Sequence, residues 1–487
     1  MLHKIMSKDE ERQEMDRLNQ LYDGRDDFLG KDLLTIANKN SSSRNIMFHR
    51  HVEQFVNMTE PDFPRVFTSY ENQVGRHSNF YKQVDNESTV IAKISKFESS
   101  PELLYHLIVK DIDGNYDIID RKEAEFLSEV YGFKYNNDNI DNKSVGDKLV
   151  VDEVLTKSPS FDEHMNYRYG KNAKTLFMIH QPTIEDAVVI TQEFADTMKY
   201  HHVEEVEISL NGNDFMLNLY GDDDNYQVLP EPGQDTNGSI LCAVRRIIKE
   251  HRMTQMHISN SKDINFDSDT LIYVKGTVVD FNVFTNIPLM DIPELKYNHQ
   301  LRSAIINEKR YYGELYQALE PLMETPDKCS DDVKFLFNKA KARLDDKKKF
   351  YEDDEPLNHI IIKLKVLSEQ SVTVGSKITN RHGSKGVISK IVPASEMPVN
   401  QYGERPDIIQ NALSIVNRLN PAALFEIELN FLADNVVRRY KTDPEYAFED
   451  VLRFVKDVDY QYGENVRIHY ESLSDDQKTV TKQLGFI

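Results

Sequence analysis

Val374-Gly375-Ser376-Lys377-Ile378-Thr379-Asn380-Arg381-His382-Gly383-Ser384-Lys385-Gly386 sets three glycines among two lysines, an arginine and a histidine. Ile360-Ile361-Ile362 precedes this stretch, and Gly386-Val387-Ile388-Ser389-Lys390-Ile391-Val392 follows it. β-Branched runs bounded by glycine read as strands, so the basic stretch is expected as a loop held between strands. Glycine lets a backbone turn sharply or approach a ligand closely, and the cations suit phosphate oxygens. The stretch is not a P-loop, because the glycines are too far apart and no Gly-Lys-Ser/Thr follows. The plain alternative is a solvated basic hairpin.

The wider chain bounds what such a loop can serve. At 487 residues it can bury more than one core. With 39% hydrophobic and 29% charged residues it has the balance of a soluble protein. No apolar run approaches the ~18 residues of a membrane span, and Met1-Leu2-His3-Lys4 opens no apolar signal region. The two cysteines, Cys242 and Cys329, support neither a disulfide framework nor a cysteine-rich zinc site, which points to a reducing, cytoplasmic setting. A net charge of −22 argues against nonspecific wrapping of nucleic acid. Between 371 and 420 the sign reverses: Lys377, Arg381, Lys385, Lys390, Arg405 and Arg418 face only Glu396, Glu404 and Asp407, and steering follows the local field. His49, His51 and His77 lack zinc-ligand spacing. Tyr220-Gly221-Asp222-Asp223 copies a motif of single-subunit viral polymerases but sits in an acidic, turn-forming cluster, and is read as a solvated loop.

In their order, Gly375-Ser376-Lys377 and Arg381-His382-Gly383-Ser384-Lys385-Gly386-Val387 resemble the signature of the β subunit of multisubunit DNA-dependent RNA polymerases. That family reads Gly-Asp-Lys and Arg-His-Gly-Asn-Lys-Gly-Val; Ser376 and Ser384 are departures. Glu396-Met397-Pro398, Pro406-Asp407-Ile408-Ile409, Asn411-Ala412-Leu413, Arg418-Leu419-Asn420 and Leu424-Phe425-Glu426 continue the likeness. Upstream, Arg44 to Gln54, Phe63-Pro64-Arg65, Val145-Gly146-Asp147-Lys148, Tyr169-Gly170-Lys171-Asn172 and Ile184-Glu185-Asp186-Ala187 to Thr191 resemble further family pieces. Serines 41–43 cap an expected helix from Arg44 to Val56. On it Arg44 and Gln54 would lie within ~80° of each other. Adjacent carboxylates such as Glu185 and Asp186 repel, so they are kept for a cation, for separate donors, or in solvent.

The resemblance implies an α+β, multidomain, β-rich fold with a double-psi β-barrel interrupted by an inserted flap-like module. It divides the chain into an N-terminal helical arm (1–42), a hybrid-binding region with the first part of the barrel (43–191), and the flap-like insertion (192–356). The second part of the barrel with the basic loop (357–426) and a C-terminal tail (427–487) follow. Ser7-Lys8-Asp9-Glu10 would cap the arm helix carrying Met15, Leu18 and Tyr22. In the insertion, Leu301, Ile305, Tyr312, Leu315 and Leu319 form one helical stripe. Val333, Leu336, Phe337, Ala340 and Leu344 form another, capped by Ser330.

Of function, the resemblance implies one wall of a shared nucleotidyl-transfer site. Lys377 and Lys385 would meet phosphates of the RNA 3′ end or the initiating nucleotide. Arg44 and Arg418 go to the triphosphate and Gln54 to RNA, with Arg381 and His382 also among the NTP- and RNA-binding residues. Glu185 and Asp186 fall near the second Mg2+, Asp186 only indirectly. Mg2+ would be held mainly by the β′ partner, since Asp-Phe-Asp-Gly-Asp is absent from this chain. The implied partners are an N-terminal β fragment, β′ or its fragments, a promoter-specificity factor at the flap, template DNA, RNA and NTPs, with no membrane. A split, shortened β subunit resembles those of phiKZ-like giant phages, which implies host cytoplasm or packaging in the virion. The rival readings are a non-catalytic β-like assembly subunit and a stand-alone nucleic-acid-binding protein.

Overall fold

The computed structural model describes residues 33–484 apart from 69, 72–73, 75–79, 129, 213, 223, 248–266, 293–298, 346–348, 445–447 and 459. The expected arm helix and His77 lie outside the described residues. The chain is α+β and divides into two units, each assembled from separated stretches of sequence.

The first unit holds Asn79–Ser158 and His201–Glu369. Tyr116–Lys122, Leu104–Asp111, Ser88–Ser95 and Lys148–Leu149 lie side by side in one sheet. Thr277–Phe284, Ile360–Ser371, Lys199–Leu210, Tyr131–Lys134 and Ala124–Phe126 make another, and Asp214–Met216, Ile240–Ile247 and Asp267–Tyr273 a third. The two helical stripes form as the sequence predicts, in His299–Leu319 and Asp331–Leu344. Ser330 caps the second by accepting a hydrogen bond from the Val333 amide. Tyr311, Tyr312, Leu315, Leu319, Val333 and Ala340 bury against Ile94, Ile108 and Ile118 of the first sheet. A polar key fixes the register of helix on sheet: His106 lies 2.7 Å from Asp120 and 2.5 Å from the Tyr311 hydroxyl. Asp222 accepts from the amides of Asp224 and Asn225, as a turn residue does.

The second unit comprises the described parts of Gly24–Ser78, Pro159–Tyr200 and Gln370–Ile487. Its elements are α1 (Ser42–Val52), β1 (Thr175–Phe177), β2 (Ala187–Thr191), α2 (Gln192–Thr197), β3 (Lys377–Thr379), β4 (Lys385–Val392), β5 (Ile408–Gln410), α3 (Leu413–Arg418), α4 (Ala422–Tyr440), α5 (Glu449–Val458), α6 (Tyr460–Ser472) and α7 (Asp475–Leu484). The strands form one mixed sheet in the order β3-β4-β2-β5-β1. β2 runs parallel to β4, pairing Ala187 with Val387 and Thr191 with Val392. β5 lies antiparallel to β2 and parallel to β1. Val188, Ile190, Ile388 and Ile408 bury together with Phe194 of α2. The C-terminal helices close on Leu429, Ala433, Val436, Val451, Leu452 and Val455.

Two local expectations change. α1 ends at Val52, so Gln54 sits in the turn beyond it and not on the same helix as Arg44. The basic loop is shorter than expected: Lys377 and Lys385 are strand residues, and only 380–384 form the turn. The β-branched residues Ile378 and Thr379 extend the ladder into the stretch. Among the described residues no helix is long and apolar enough to cross a membrane.

Candidate functional site

The hairpin β3-β4 pairs Lys377 with Val387, Ile378 with Gly386, and Thr379 with Lys385. Side chains alternate faces along a strand, so Lys377, Thr379, Lys385 and Val387 share one face, with the two lysines as diagonal neighbours. Diagonal pairs of this kind lie about 7–8 Å apart at the backbone. Both lysines are exposed. Lys385 Nζ donates only a long 3.4 Å bond to Gln54 Oε1, and Lys377 has no ion-pair partner among the described residues. Gly386 is required by packing, since a Cβ there would lie 2.4 Å from the Asp186 carbonyl oxygen. Gly383 has φ +75°, and its Cβ would meet the Arg44 carbonyl at 2.7 Å.

The turn's other charges point inward. Asn380 Oδ1 accepts from the amides of His382 and Ser384, closing the turn on itself. Arg381 donates to the Val66 carbonyl at 2.5 Å and to the Tyr169 hydroxyl at 3.3 Å, and pairs with Glu426 of α4. His382 is 1% exposed and bonds the other Glu426 oxygen. Asn40 Nδ2 can only donate, so His382 Nδ1 accepts from it at 3.3 Å and Nε2–H donates to Glu426. Burial alone would raise the Glu426 carboxyl. Arg381 and His382 outweigh it and hold the carboxyl well below the usual range. Asn420, fully buried, donates to the His382 carbonyl and to Ser384 Oγ at 2.6 Å. Arg381 and His382, expected at the nucleotide, thus have their polar atoms engaged inside the protein, where one arginine and one carboxylate cancel.

α1 lies along the hairpin. His51 Nδ1 is 2.8 Å from Thr379 Oγ1. That hydroxyl gives its one proton to main-chain oxygen, chiefly Ser384 at 2.8 Å, so the imidazole is the donor. Burial, then the charges of Lys385 and Arg44, lower the His51 pKa. Arg44 donates to the carbonyls of Arg418 and Gly383 at 3.0 and 3.3 Å and to Met47 Sδ. Arg418 pairs with Asp186. Glu185 is exposed and takes a left-handed backbone at φ +55°. In this structure Asp186 thus has its own donor, while Glu185 faces solvent. Leu419, following Arg418, is also left-handed at φ +54°. Among the described residues no three His, Cys, Asp or Glu side chains converge as a metal site.

The structure gathers Arg44, Gln54, Asp186, Lys385 and Arg418 around one hairpin, with Lys377 on its exposed face. It adds residues to which the sequence assigned no role: His51, Thr379, Asn420 and Glu426. Glu426 carried a signal in its motif, but nothing in the spacing indicated a partner 45 positions upstream.

A family model described as RNA polymerase Rpb2, domain 6, matches residues 136–465. The chain belongs to this family. The matched span of the Rpb2 domain 6 family includes Glu185, Asp186, Lys377, Arg381, His382, Lys385 and Arg418; Arg44 and Gln54 precede it. The chain is similar to the DNA-directed RNA polymerase subunit beta of Ehrlichia ruminantium (strain Gardel), 24% identical over 527 aligned positions that cover 91% of this chain and 37% of that protein. It is also similar to the DNA-directed RNA polymerase subunit beta of Staphylococcus aureus (strain COL), 25% identical over 410 positions, 81% of this chain and 30% of that protein. The chain spans about a third of the length of these relatives.

Proposed function

We propose that this chain is a subunit of a DNA-directed RNA polymerase, equivalent to the C-terminal part of a β subunit, and forms one wall of the site where RNA grows. The observation that carries the reading is the pair Lys377 and Lys385: two exposed ammonium groups on one hairpin face, beside a turn whose own charges are neutralised within. A cation held on a strand is preorganised, and preorganised charge aimed at developing negative charge is a large catalytic term. An RNA 3′ hydroxyl attacks the α-phosphorus of a nucleoside triphosphate, and pyrophosphate leaves with the bonding pair. Lys385 and Lys377 would face the phosphates and Gln54 the RNA. Arg44 and Arg418 would stand at the triphosphate, Arg418 exchanging Asp186 for a phosphate oxygen. Arg381 and His382 would hold the turn in shape through Glu426. Magnesium belongs to other chains in this reading, and no step here runs through it.

The finer parts of the proposal follow from the same resemblance. The mixed sheet of the second unit would be part of a double-psi β-barrel. Residues 192–356 would act as a flap-like module at which a promoter-specificity factor binds. The same resemblance implies a split β subunit of the kind found in giant phages. In that reading an N-terminal β fragment and β′ would be its partners.

The test is single-nucleotide extension on a preformed RNA–DNA scaffold with the reconstituted complex, scaffold affinity being measured separately. Lys385→Ala is expected to slow addition roughly ten- to a thousandfold with assembly intact. The chain without partners is expected to make no RNA. Parental rate and affinity in the variant would remove the hairpin from the active site, whereas synthesis by the chain alone would overturn the division of labour.

A further inference from the structure

A second candidate site lies in the first unit and shares no residue with the hairpin site. A cavity of about 310 Å³ opens between the helix His299–Leu319, the strand Thr277–Phe284, and the segments 96–99 and 225–232. That volume falls at the lower end of small-ligand pockets. Its walls are fixed. Gln300, buried, accepts from the amides of Val228 and Leu229 and donates to the Leu229 carbonyl and Glu231, all at 2.9–3.2 Å. Four bonds from one side chain pin the 225–232 segment to the helix.

The charges lining the cavity are not balanced. Lys96 is tied off, its ammonium 2.6 Å from Asp280 and 2.9 Å from Asn282. Glu98 lies at the rim, 71% exposed and 3.9 Å from Arg310. Glu308 lines the cavity one helical turn beyond Ala304 and has neither a hydrogen bond nor an ion pair among the described residues. Burial raises its pKa; Arg343 and Lys96 oppose this from beyond ion-pair distance, while Asp280 adds to it. Arg343 is spent elsewhere, over the rings of Phe284 and Phe350. Glu308, partly exposed and facing the cavity, has no donor of its own there, and a cationic donor filling the space would complete it with charge-assisted hydrogen bonds. Phe97, Tyr226 and Phe281 supply apolar wall around that position, and Asn307 and Ser303 supply polar groups.

We propose that this cavity binds a guanidinium or ammonium group, with Glu308 as its counter-ion. The group can come from a free organic cation or from an Arg or Lys side chain of another protein, and the probes separate the two. Binding of Nα-acetyl-argininamide to the full chain is measured by calorimetry, with Nα-acetyl-citrullinamide as the neutral isostere and a capped Gly-Gly-Arg-Gly-Gly peptide as the side-chain source. The arginine probe is expected to bind and the citrulline probe to bind at least tenfold more weakly, because the neutral isostere forfeits the charge-assisted hydrogen bonds to the carboxylate. Glu308→Gln is expected to weaken the arginine probe about ten- to a hundredfold, and Glu98→Gln, at the rim, by less than about threefold. Ser303→Leu, which fills the cavity without touching the carboxylate, should also abolish binding, and thermal melts confirm that each variant is folded. Peptide binding as tight as the small probe assigns the site to a partner's side chain; binding of the small probe alone assigns it to a free cation. No binding of the arginine probe, equal binding of the citrulline probe, or binding unchanged in a folded Glu308→Gln chain would overturn the proposal.

Discussion

At the scale of single residues the candidate site rests on two histidines in opposite roles. His382 accepts through Nδ1 and donates through Nε2, and it needs no charge to do so. His51 donates through Nδ1 and lies in the field of Lys385 and Arg44. Its pKa is lowered below 6.5 by burial first and by those cations second. Removing one cation should let it rise. In an NMR titration of the isolated chain, Lys385→Ala is expected to move the His51 midpoint upward, and an unmoved midpoint would place the lysine too far away to matter. Glu426 gives a second test. Replacing it with Gln leaves Arg381 buried without a counter-charge, which costs about 3–5 kcal/mol. Because the Glu426 carboxyl is depressed in the folded chain, its stabilisation is complete above its unfolded pKa of 4.5 and is lost as pH falls below that value. Urea unfolding should therefore show the largest gap between parent and Glu426→Gln near neutrality, narrowing below about pH 5. A gap that is flat or widens in acid would contradict this account. The free lysines were legible in the sequence, because their residue types and order are local. The inward turn of Arg381 and His382 was not, because it depends on Glu426 and Asn40, which only the folded chain brings near.

At the scale of elements, the short helix α3 ends without the residue its geometry favours. Leu419 occupies the left-handed position after the helix, 66% exposed, where glycine is the usual choice. The left-handed backbone costs an L-residue about 1–2 kcal/mol, and glycine returns about 0.4–1 kcal/mol of that through the unfolded chain. Leu419→Gly is therefore expected to stabilise the chain by about 0.5–1 kcal/mol in urea unfolding. A loss of stability would mean that the leucine side chain carries packing which its exposure conceals. Strain at Leu419 and at Glu185 brackets the Arg418–Asp186 pair, and such positions cluster where structure serves a site. Helical stripes and β-branched strands announced themselves by pattern, which is why His299–Leu319, Asp331–Leu344 and Lys385–Val392 match expectation. The end of α1 did not, since no glycine or proline marks Val52 and the chain leaves the helix where His51 bonds Thr379.

At the scale of the whole molecule, a chain of net charge −22 sets two exposed lysines side by side on one hairpin, a contrast that composition alone hides. The division into two discontinuous units was less legible, because pattern reveals elements and not which distant elements share a core. That division sets an order of birth. The hydrogen bond from Arg44 to the Arg418 carbonyl joins residues 374 positions apart, a wait of roughly 20–75 s at about 5–20 residues per second of synthesis. The first unit is complete at Glu369, before any of the basic hairpin exists. On the ribosome the Arg44 and His51 side chains of α1 must therefore idle without Arg418, Gly383 and Thr379, although Phe48 is already covered by Leu33, Leu34 and Tyr167. Protease added to nascent chains stalled well beyond 369 should leave the first unit resistant and cut near α1, whereas release of the full chain should protect both. Equal protection of α1 in the stalled chain would mean that the cover over Phe48 holds the helix without the hairpin.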